Sequence, residues 1–294
     1  MSPEPVNRWE PHTVTTTETV DPGPVAALSA LFDDGTPPAG PGDALPPLWH
    51  WLALARWPRS STLGADGHPA RGTFLPPVEL PRRMFAGGEV VFHAPLTVGS
   101  TVRRESSVES VAEKPGRSGP LVVVAVATRL YDESGRLAIE ERQDLVYRGR
   151  EAVPPQETPP GPAAGLAPAG APLTRAGAWA WDLATDPALL MRFSAATSNP
   201  HRIHYDWPYA TRVEGYPGLV VHGPLMTLAL AEVLRLEGHG GRVHRMRHRN
   251  RRPLFCGQAA RLRRIGDSPL TLGVLTPDSP EPRTLLTIEG DPHA

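Results

Sequence analysis

The residues best suited to chemistry lie in two short segments of the second half of the chain. Asn199, His201 and His204 bring an amide and two imidazoles close together in sequence. Residues 215–224 follow, a Gly-rich segment that ends in His222-Gly223-Pro224 and leads into an apolar run. An imidazole titrates near neutral pH, so it can take up and return a proton, whereas an amide holds a ligand only through hydrogen bonds.

This set of residues suits a reaction that needs one base and one oxyanion donor. We predict His204 as the general base, Asn199 as the residue that positions water or a hydroxyl group, and His201 as a supporting residue. The backbone N–H of Gly223 stands at the start of a proline-opened helix, where the positive end of the helix dipole would stabilise an oxyanion. A metal site built from His201, His204 and His222 is the alternative, but no cysteine or clear carboxylate completes a preferred ligand set, so no metal is expected.

The composition excludes several classes of protein. The chain has 294 residues with a formal net charge of -1, and this balance argues against general nucleic-acid binding. A single cysteine, Cys256, excludes an internal disulfide framework and a multi-cysteine zinc site. No segment approaches the roughly 18 apolar residues of a membrane span, and the start of the chain has no signal-peptide pattern, so a cytoplasmic location is expected.

A proline-rich segment divides the chain into two halves that resemble each other. Residues 151–172 contain almost no residues able to build a core, which predicts a linker between an N-terminal domain, 1–150, and a C-terminal domain, 173–294. Each half carries an Asp-Pro that opens an apolar helix, then a proline-opened apolar helix, then Pro-Leu-x-x-Gly. These features lie at 21–32, 45–56 and 95–99, and again at 186–195, 222–235 and 253–257. Three matches in the same order indicate an internal duplication.

The remaining segments alternate in the manner of β-strands and are separated by turn signals. The predicted strands are 89–93, 101–113, 121–131 and 137–147 in the first half, and 242–255, 259–265, 270–275 and 283–289 in the second. One enclosed helix followed by antiparallel strands predicts a sheet wrapped around a central helix. Because this plan occurs twice, we predict an α+β double hot-dog fold.

On these residues the chain resembles the MaoC-type hot-dog hydratases and dehydratases. That family has an Asp-x-Asn-Pro-x-His segment ahead of a His-Gly that opens the central helix. Alignment on His204 places Asn199 at the family's catalytic Asp and His222-Gly223 at its His-Gly. The fuller pattern is similar to the subgroup of mesaconyl-CoA hydratases and mitochondrial-type 3-hydroxyacyl-thioester dehydratases. The segments that carry this similarity are 199–206 and 215–224, with 45–51, 74–78, 80–84 and 113–120 in the first half.

The resemblance implies a hydro-lyase that hydrates an enoyl thioester or dehydrates a 3-hydroxyacyl thioester, without a cofactor. The acyl group would be carried on coenzyme A or on an acyl carrier protein, and a homodimer is left open. Asn199 in place of the family's acid leaves His204 as the single base. Two alternatives remain: conjugate addition or cyclisation of a thioester-bound biosynthetic intermediate, and a non-catalytic subunit that only binds acyl thioesters.

Where the second half has its histidine motif, the first half continues with residues 33–42, which contain no histidine, so it is expected to be a degenerate copy of the catalytic half. Trp49 and Trp51 would either line a widened acyl pocket or belong simply to the core.

Basic residues supply the last group of candidates. Residues 242–252 carry arginines at alternate positions, which share one face of a strand. Arg249 and Arg251, together with Arg82 and Arg83, are candidates for binding the phosphates of coenzyme A or phosphopantetheine. The alternative, a solvated strand face, is equally supported.

Overall fold

Strands outnumber helices in the described chain. The computed structural model describes residues 9–116, 119–149, 170–239 and 243–290, so nearly all of the predicted linker lies outside the described residues. In the first half the strands are β1 Thr13–Thr19, β2 Arg82–Phe92, β3 Thr101–Gly116, β4 Gly119–Tyr131 and β5 Leu137–Arg148. In the second half they are β6 Leu173–Gly177, β7 Ala180–Leu183, β8 Val243–Asn250, β9 Ala260–Asp267, β10 Leu270–Thr276 and β11 Ser279–Gly290.

These strands form one continuous antiparallel sheet that runs through both halves. Its order is β1-β3-β4-β5-β2-β8-β11-β10-β9-β7-β6. The halves meet where β2 pairs with β8, and at the middle of that junction Glu89 lies directly opposite Arg247. Both residues stand at the same distance before the proline of Pro-Leu-x-x-Gly in their own half. The junction therefore lies on the pseudo-twofold axis that relates the two copies.

Four α-helices pack against the sheet and against each other. They are α1 Pro22–Phe32, α2 His50–Ala53, α3 Pro187–Ala196 and α4 Gly223–Leu236. The two Asp-Pro helices form as predicted, because Asp21 accepts a hydrogen bond from Gly23 N–H at 2.8 Å and Asp186 accepts one from Leu189 N–H at 2.8 Å. Among the described residues, no helix has the length and apolar character needed to cross a bilayer.

The duplication is visible in matching hydrogen bonds. In the first half, Leu45 N–H donates to the Leu96 carbonyl at 2.7 Å, and in the second half Val221 N–H donates to the Leu254 carbonyl at 2.9 Å. Each bond ties the residue before a helix entry to the Leu of Pro-Leu-x-x-Gly. The two helix entries are therefore equivalent positions of one repeated fold, and residues 46–47 correspond to residues 222–223.

The central helices of the two copies differ in length. In the second half, α4 has four turns and most of its side chains are buried from Leu225 to Leu234. In the first half, the helix predicted over 45–56 is confined to the single turn of α2. Leu48 adopts a left-handed backbone with φ of 69°, which delays the start of the helix, and Leu54 leaves helical geometry. The apolar pattern that suggested a long helix reflects burial, since Leu48 and Leu52 are both fully buried.

Several strand boundaries differ from the predictions. The strand predicted over 89–93 spans Arg82–Phe92, and the strand predicted over 283–289 spans Ser279–Gly290. The strand predicted over 242–255 ends at Asn250, and only a bridge between Val220 and Phe255 follows. Pro253 lacks a backbone N–H and cannot continue a ladder of hydrogen bonds, which explains the early end.

Candidate active site

His204 lies in a short 3₁₀ turn, Arg202–His204, and is buried. Its Nδ1 lies 2.7 Å from the carbonyl oxygen of Val220. A carbonyl oxygen only accepts hydrogen bonds, so Nδ1 carries the proton and Nε2 holds a free lone pair. The ring is thus fixed in the tautomer that a general base requires.

His222 supports His204 from the side. It caps the N-terminus of α4, is fully buried, and stacks on His204 with ring centroids 3.6 Å apart and planes inclined by 18°. Its Nε2 lies 2.8 Å from the hydroxyl oxygen of Ser194 in α3, so the stacked pair is anchored to a second helix. Burial lowers the pKa of His204 to about 3 and holds the pKa of His222 well below its ordinary value. Both rings are therefore neutral at neutral pH.

Gly223 is the first residue of α4, immediately after His222. The first N–H groups of a helix have no partner within the helix, so the Gly223 amide is available to a ligand. A Cβ atom at this position would lie 2.5 Å from Asn250 Nδ2 and 3.3 Å from Phe85 Cδ1. Asn250 Nδ2 itself donates to the Phe85 carbonyl at 3.1 Å, which fixes both neighbours. Glycine is required because β2 and β8 approach the helix start this closely.

Asn199 shapes the loop that presents His204. Its Oδ1 accepts a hydrogen bond from His201 N–H at 3.1 Å, which forms an Asx turn just before the 3₁₀ turn. This bond uses one acceptor site of the amide. The role of Asn199 in positioning water stays a prediction.

A short loop of the first half also enters this site. Asp66 Oδ2 lies 3.0 Å from His68 Nδ1, and the His68 ring packs on the His201 ring with centroids 4.1 Å apart. His201 in turn meets His204 edge-on, with centroids 5.5 Å apart. The pKa of His68 falls to about 4, chiefly through burial, and burial together with His68 lowers the pKa of His201. The first half therefore adds a carboxylate and an imidazole to the histidines of the second half.

Close backbone contacts hold this loop in place. Gly67 has φ of 91°, and a Cβ atom there would lie 1.9 Å from the Pro200 carbonyl oxygen. Arg202 N–H donates to the Asp66 carbonyl at 3.0 Å, and Arg202 Nη1 donates to the Ala65 carbonyl at 3.1 Å. Sequence reasoning missed the loop because it belongs to the connection 54–81, which has no counterpart after α4. The available signal was a His two residues after an Asp.

Asp66, His68 and His201 also form a group whose potential ligand atoms lie within 4.8 Å of one another. The sequence-based argument against a metal relied on the lack of a clear carboxylate, and Asp66 supplies one. The direct Asp66–His68 hydrogen bond accounts for the carboxylate without an ion. The absence of a bound metal stays a prediction.

The candidate arginines occupy different environments. Arg82 and Glu214 are both buried, and Arg82 Nε lies 2.8 Å from Glu214 Oε2, so this guanidinium has a structural partner. Arg249 is exposed on β8, and Arg251 is exposed just beyond that strand. A phosphate-binding role for these four arginines stays a prediction, and Arg83 is half-buried in β2, opposite Tyr147.

Other arginines of β8 follow the predicted alternation. Arg245 and Arg247 lie on the outer face of the strand and form ion pairs with Glu89 and Glu289, whereas Met246 is buried on the inner face. For Arg245 and Arg247, the structure thus supports an ion-paired strand face.

The site combines a neutral imidazole with an available amide at a helix start, and the surrounding chain folds as a double hot-dog. This fold and this site place the protein in the class of hot-dog hydratases and dehydratases. The family model for hydroxyacyl-thioester dehydratase type 2 matches residues 48–256, and the chain belongs to this family. The predicted activity class is confirmed: the protein is a hydro-lyase that hydrates or dehydrates acyl thioesters.

Two curated proteins support this placement. The chain is 47% identical to the mesaconyl-C(4)-CoA hydratase of Chloroflexus aurantiacus, over 72% of this chain and 71% of that protein. It is 28% identical to the mitochondrial hydroxyacyl-thioester dehydratase type 2 of Schizosaccharomyces pombe, over 65% of this chain and 67% of that protein.

Solved structures support the fold. HtdX of Mycobacterium tuberculosis superposes with a TM-score of 0.63 at 19% identity, covering 95% of this chain and 100% of that one. A MaoC-like dehydratase gives a TM-score of 0.64 at 14% identity, covering 96% and 98%. The predicted double hot-dog fold is confirmed.

Proposed function

We propose that the protein adds water to the 2,3-double bond of a 2-enoyl-CoA and removes it in the reverse direction, with His204 as the general base. The observation that carries this assignment is the fixed tautomer of His204, whose Nδ1 is committed to the Val220 carbonyl and whose Nε2 is free. The name of the relative at 47% identity supports coenzyme A as the carrier. Recognition of a carrier protein, a homodimer and a cytoplasmic location stay predictions.

Each group of the site has one step in this reaction. His204 Nε2 takes a proton from water while the water oxygen bonds to Cβ and the double-bond electrons move toward the thioester oxygen. The Gly223 N–H donates to that oxygen as the enolate forms, and the helix dipole adds to the stabilisation. The enolate then collapses, and Cα takes the proton back from the imidazolium. Asn199 would hold the water, or the 3-hydroxyl group in the reverse direction, by hydrogen bonds.

The low pKa of His204 applies before negative charge develops on a substrate. Burial keeps the imidazole neutral, so its lone pair is available throughout the neutral pH range. As negative charge develops on the enolate oxygen, the nearby anion favours the protonated imidazole and raises its pKa. The base therefore strengthens at the stage of the reaction that needs it.

The test is hydration of crotonyl-CoA and of a branched dicarboxylic enoyl-CoA, followed by loss of the enoyl absorbance. We expect His204→Gln to lower kcat by about 10²- to 10⁴-fold, the usual contribution of a positioned general base. His244→Gln, which changes an exposed histidine of β8, is the matched control. Equal turnover by the wild type and His204→Gln would contradict the assignment, and binding without turnover would favour a non-catalytic subunit.

A further inference from the structure

Arg83 lies on the inner face of the sheet, next to the candidate site. Arg83 and Phe85 lie two residues apart in β2 and therefore share one face, and the bulge between Phe85 and Gly87 puts this face on the same side as Val90. Phe85 is an inner-face residue, since its ring stacks on the buried His248 with centroids 5.0 Å apart. The partner of Arg83 across the strand pair is Tyr147, which is fully buried. The guanidinium is therefore directed inward.

This position brings Arg83 close to the reacting atoms. Phe85 lies against Gly223, since its Cδ1 is 3.3 Å from where a Gly223 Cβ would stand. Arg83 is two residues away, about 6.6 Å along the strand. Its positive charge contributes to the lowered pKa values of His68 and His201. Arg83 thus lies on the sheet face that carries Phe85, and its charge acts on the histidine cluster.

No carboxylate among the described residues lies within salt-bridge distance of Arg83. The neighbouring carboxylate of Asp66 is already engaged, with one oxygen bonded to His68 Nδ1 and the other to His68 N–H, each at 3.0 Å. Burial lowers the pKa of Arg83, whereas a hydrogen bond with the Tyr147 side chain and the nearby charge of Asp66 act in the opposite direction. Arg82, by contrast, has its own buried carboxylate in Glu214. A half-buried guanidinium whose neighbours include a neutral hydroxyl but no carboxylate within salt-bridge distance among the described residues would be stabilised by a ligand that supplies the anion.

We propose that Arg83 binds a free carboxylate on the acyl group, so that the preferred substrate is the thioester of a short unsaturated dicarboxylic acid. This inference rests on the proposed hydration at the same site. A planar guanidinium can hold a carboxylate by two parallel hydrogen bonds. The phosphates of coenzyme A do not fit this place, because the pantetheine arm separates them from the thioester oxygen that Gly223 binds. The name of the mesaconyl-C(4)-CoA hydratase agrees, since a mesaconyl group carries a free carboxylate.

The test compares two thioesters that differ in one group. Mesaconyl-C(4)-CoA carries a carboxylate where 3-methylcrotonyl-CoA carries a methyl group. We expect wild-type kcat/KM to favour the dicarboxylic thioester by at least about tenfold, and Arg83→Gln to reduce this ratio by about 10- to 100-fold, mainly through KM. The ratio for Arg83→Lys should fall between those of the wild type and Arg83→Gln, because lysine keeps the charge but loses the paired hydrogen bonds. Arg129→Gln, an exposed arginine of β4, is the control and should keep the wild-type ratio.

The outcomes separate this inference from the proposed function. Turnover of both thioesters with a ratio that Arg83→Gln leaves unchanged would overturn the role of Arg83 while hydration stands. A wild type that hydrates both thioesters equally well would overturn it even if Arg83→Gln fails to fold. Failure of the wild type to hydrate either thioester would instead count against the proposed function.

Discussion

The two copies of the hot-dog differ most at the entry to the central helix. The second copy has His222-Gly223 there, and the first has Pro46-Pro47. Proline has no backbone N–H, so the first copy has no donor for an oxyanion where Gly223 offers one. It also has no imidazole to stack against a base. Two residue differences at two adjacent equivalent positions therefore remove both the N–H donor and the imidazole that stacks on the base.

The segments that follow the central helices also differ between the two copies. A single helical turn, α2, is followed by the long connection 54–81, whereas the four turns of α4 lead to β8 through residues 237–242. The connection carries Asp66 and His68 to the site of the other copy. The half that is predicted to be degenerate therefore contributes side chains to the candidate site of the other half.

The largest effect should come from giving the second copy the proline of the first. Gly223→Pro removes the N–H, and Gly223→Ala keeps it, while both introduce a Cβ that presses on Asn250. We expect kcat of Gly223→Pro to lie about 10²- to 10³-fold below that of Gly223→Ala, the usual loss on removal of one oxyanion donor. Steady-state hydration assays measure the difference. Similar kcat values for the two variants would mean that the amide of Gly223 does not bind the oxyanion.

Acid should destabilise the protein through the neutral histidines of the site. Burial lowers the pKa of His204 to about 3 and of His68 and His248 to about 4, whereas an unfolded histidine titrates near 6.5. The unfolded chain then binds more protons, so stability is complete above pH 6.5 and is lost as the pH falls below it. At pH 5 each such histidine should cost about 2 kcal/mol.

Urea unfolding at pH 7.5 and pH 5.0 measures this loss. His248→Gln should reduce the difference between the two pH values by about 2 kcal/mol, because the variant lacks one neutral buried imidazole. His244→Gln, at an exposed position, should leave most of the difference in place. A wild type that is equally stable at both pH values would show that the cluster is not held neutral.

A smaller effect on activity should come from disrupting the contact between the Gly67 loop of the first copy and the site of the second copy. Gly67→Ala and Gly35→Ala both place a side chain at positive φ, but only Gly67 contacts the other copy, at the Pro200 carbonyl. We expect Gly35→Ala to cost about 1 kcal/mol and Gly67→Ala about 2 to 4 kcal/mol, since the latter adds overpacking to backbone strain. Thermal unfolding measures the stability, and only Gly67→Ala should also lower kcat/KM. If Gly35→Ala and Gly67→Ala lost the same stability and the same kcat/KM, the contact of the Gly67 loop with the second copy would have no role in catalysis.

The fold and the second-half motif could be predicted because their signals are local. His204 and Gly223 belong to short continuous segments, and strand alternation survives in each half. The contact of Asp66 and His68 with His201 depends instead on how a long connection packs across the two copies, which no local pattern encodes. The inward direction of Arg83 depends on a bulge at one residue of β2, and a one-residue change of register exchanges the faces of a strand. The first central helix was predicted too long because burial and helicity give the same apolar pattern.

The pairing of Glu89 with Arg247 bears on how this chain could have evolved. In a symmetric dimer of identical hot-dogs, a residue on the twofold axis faces its own copy, so either charge would meet its like. Opposite charges can stand at this place only when the two copies are encoded separately. Once the pair had formed, a return to a homodimer of either half would set glutamate against glutamate or arginine against arginine across the central strands. The pair therefore marks a junction between two copies that now differ in sequence, so each copy can carry residues that its twin lacks.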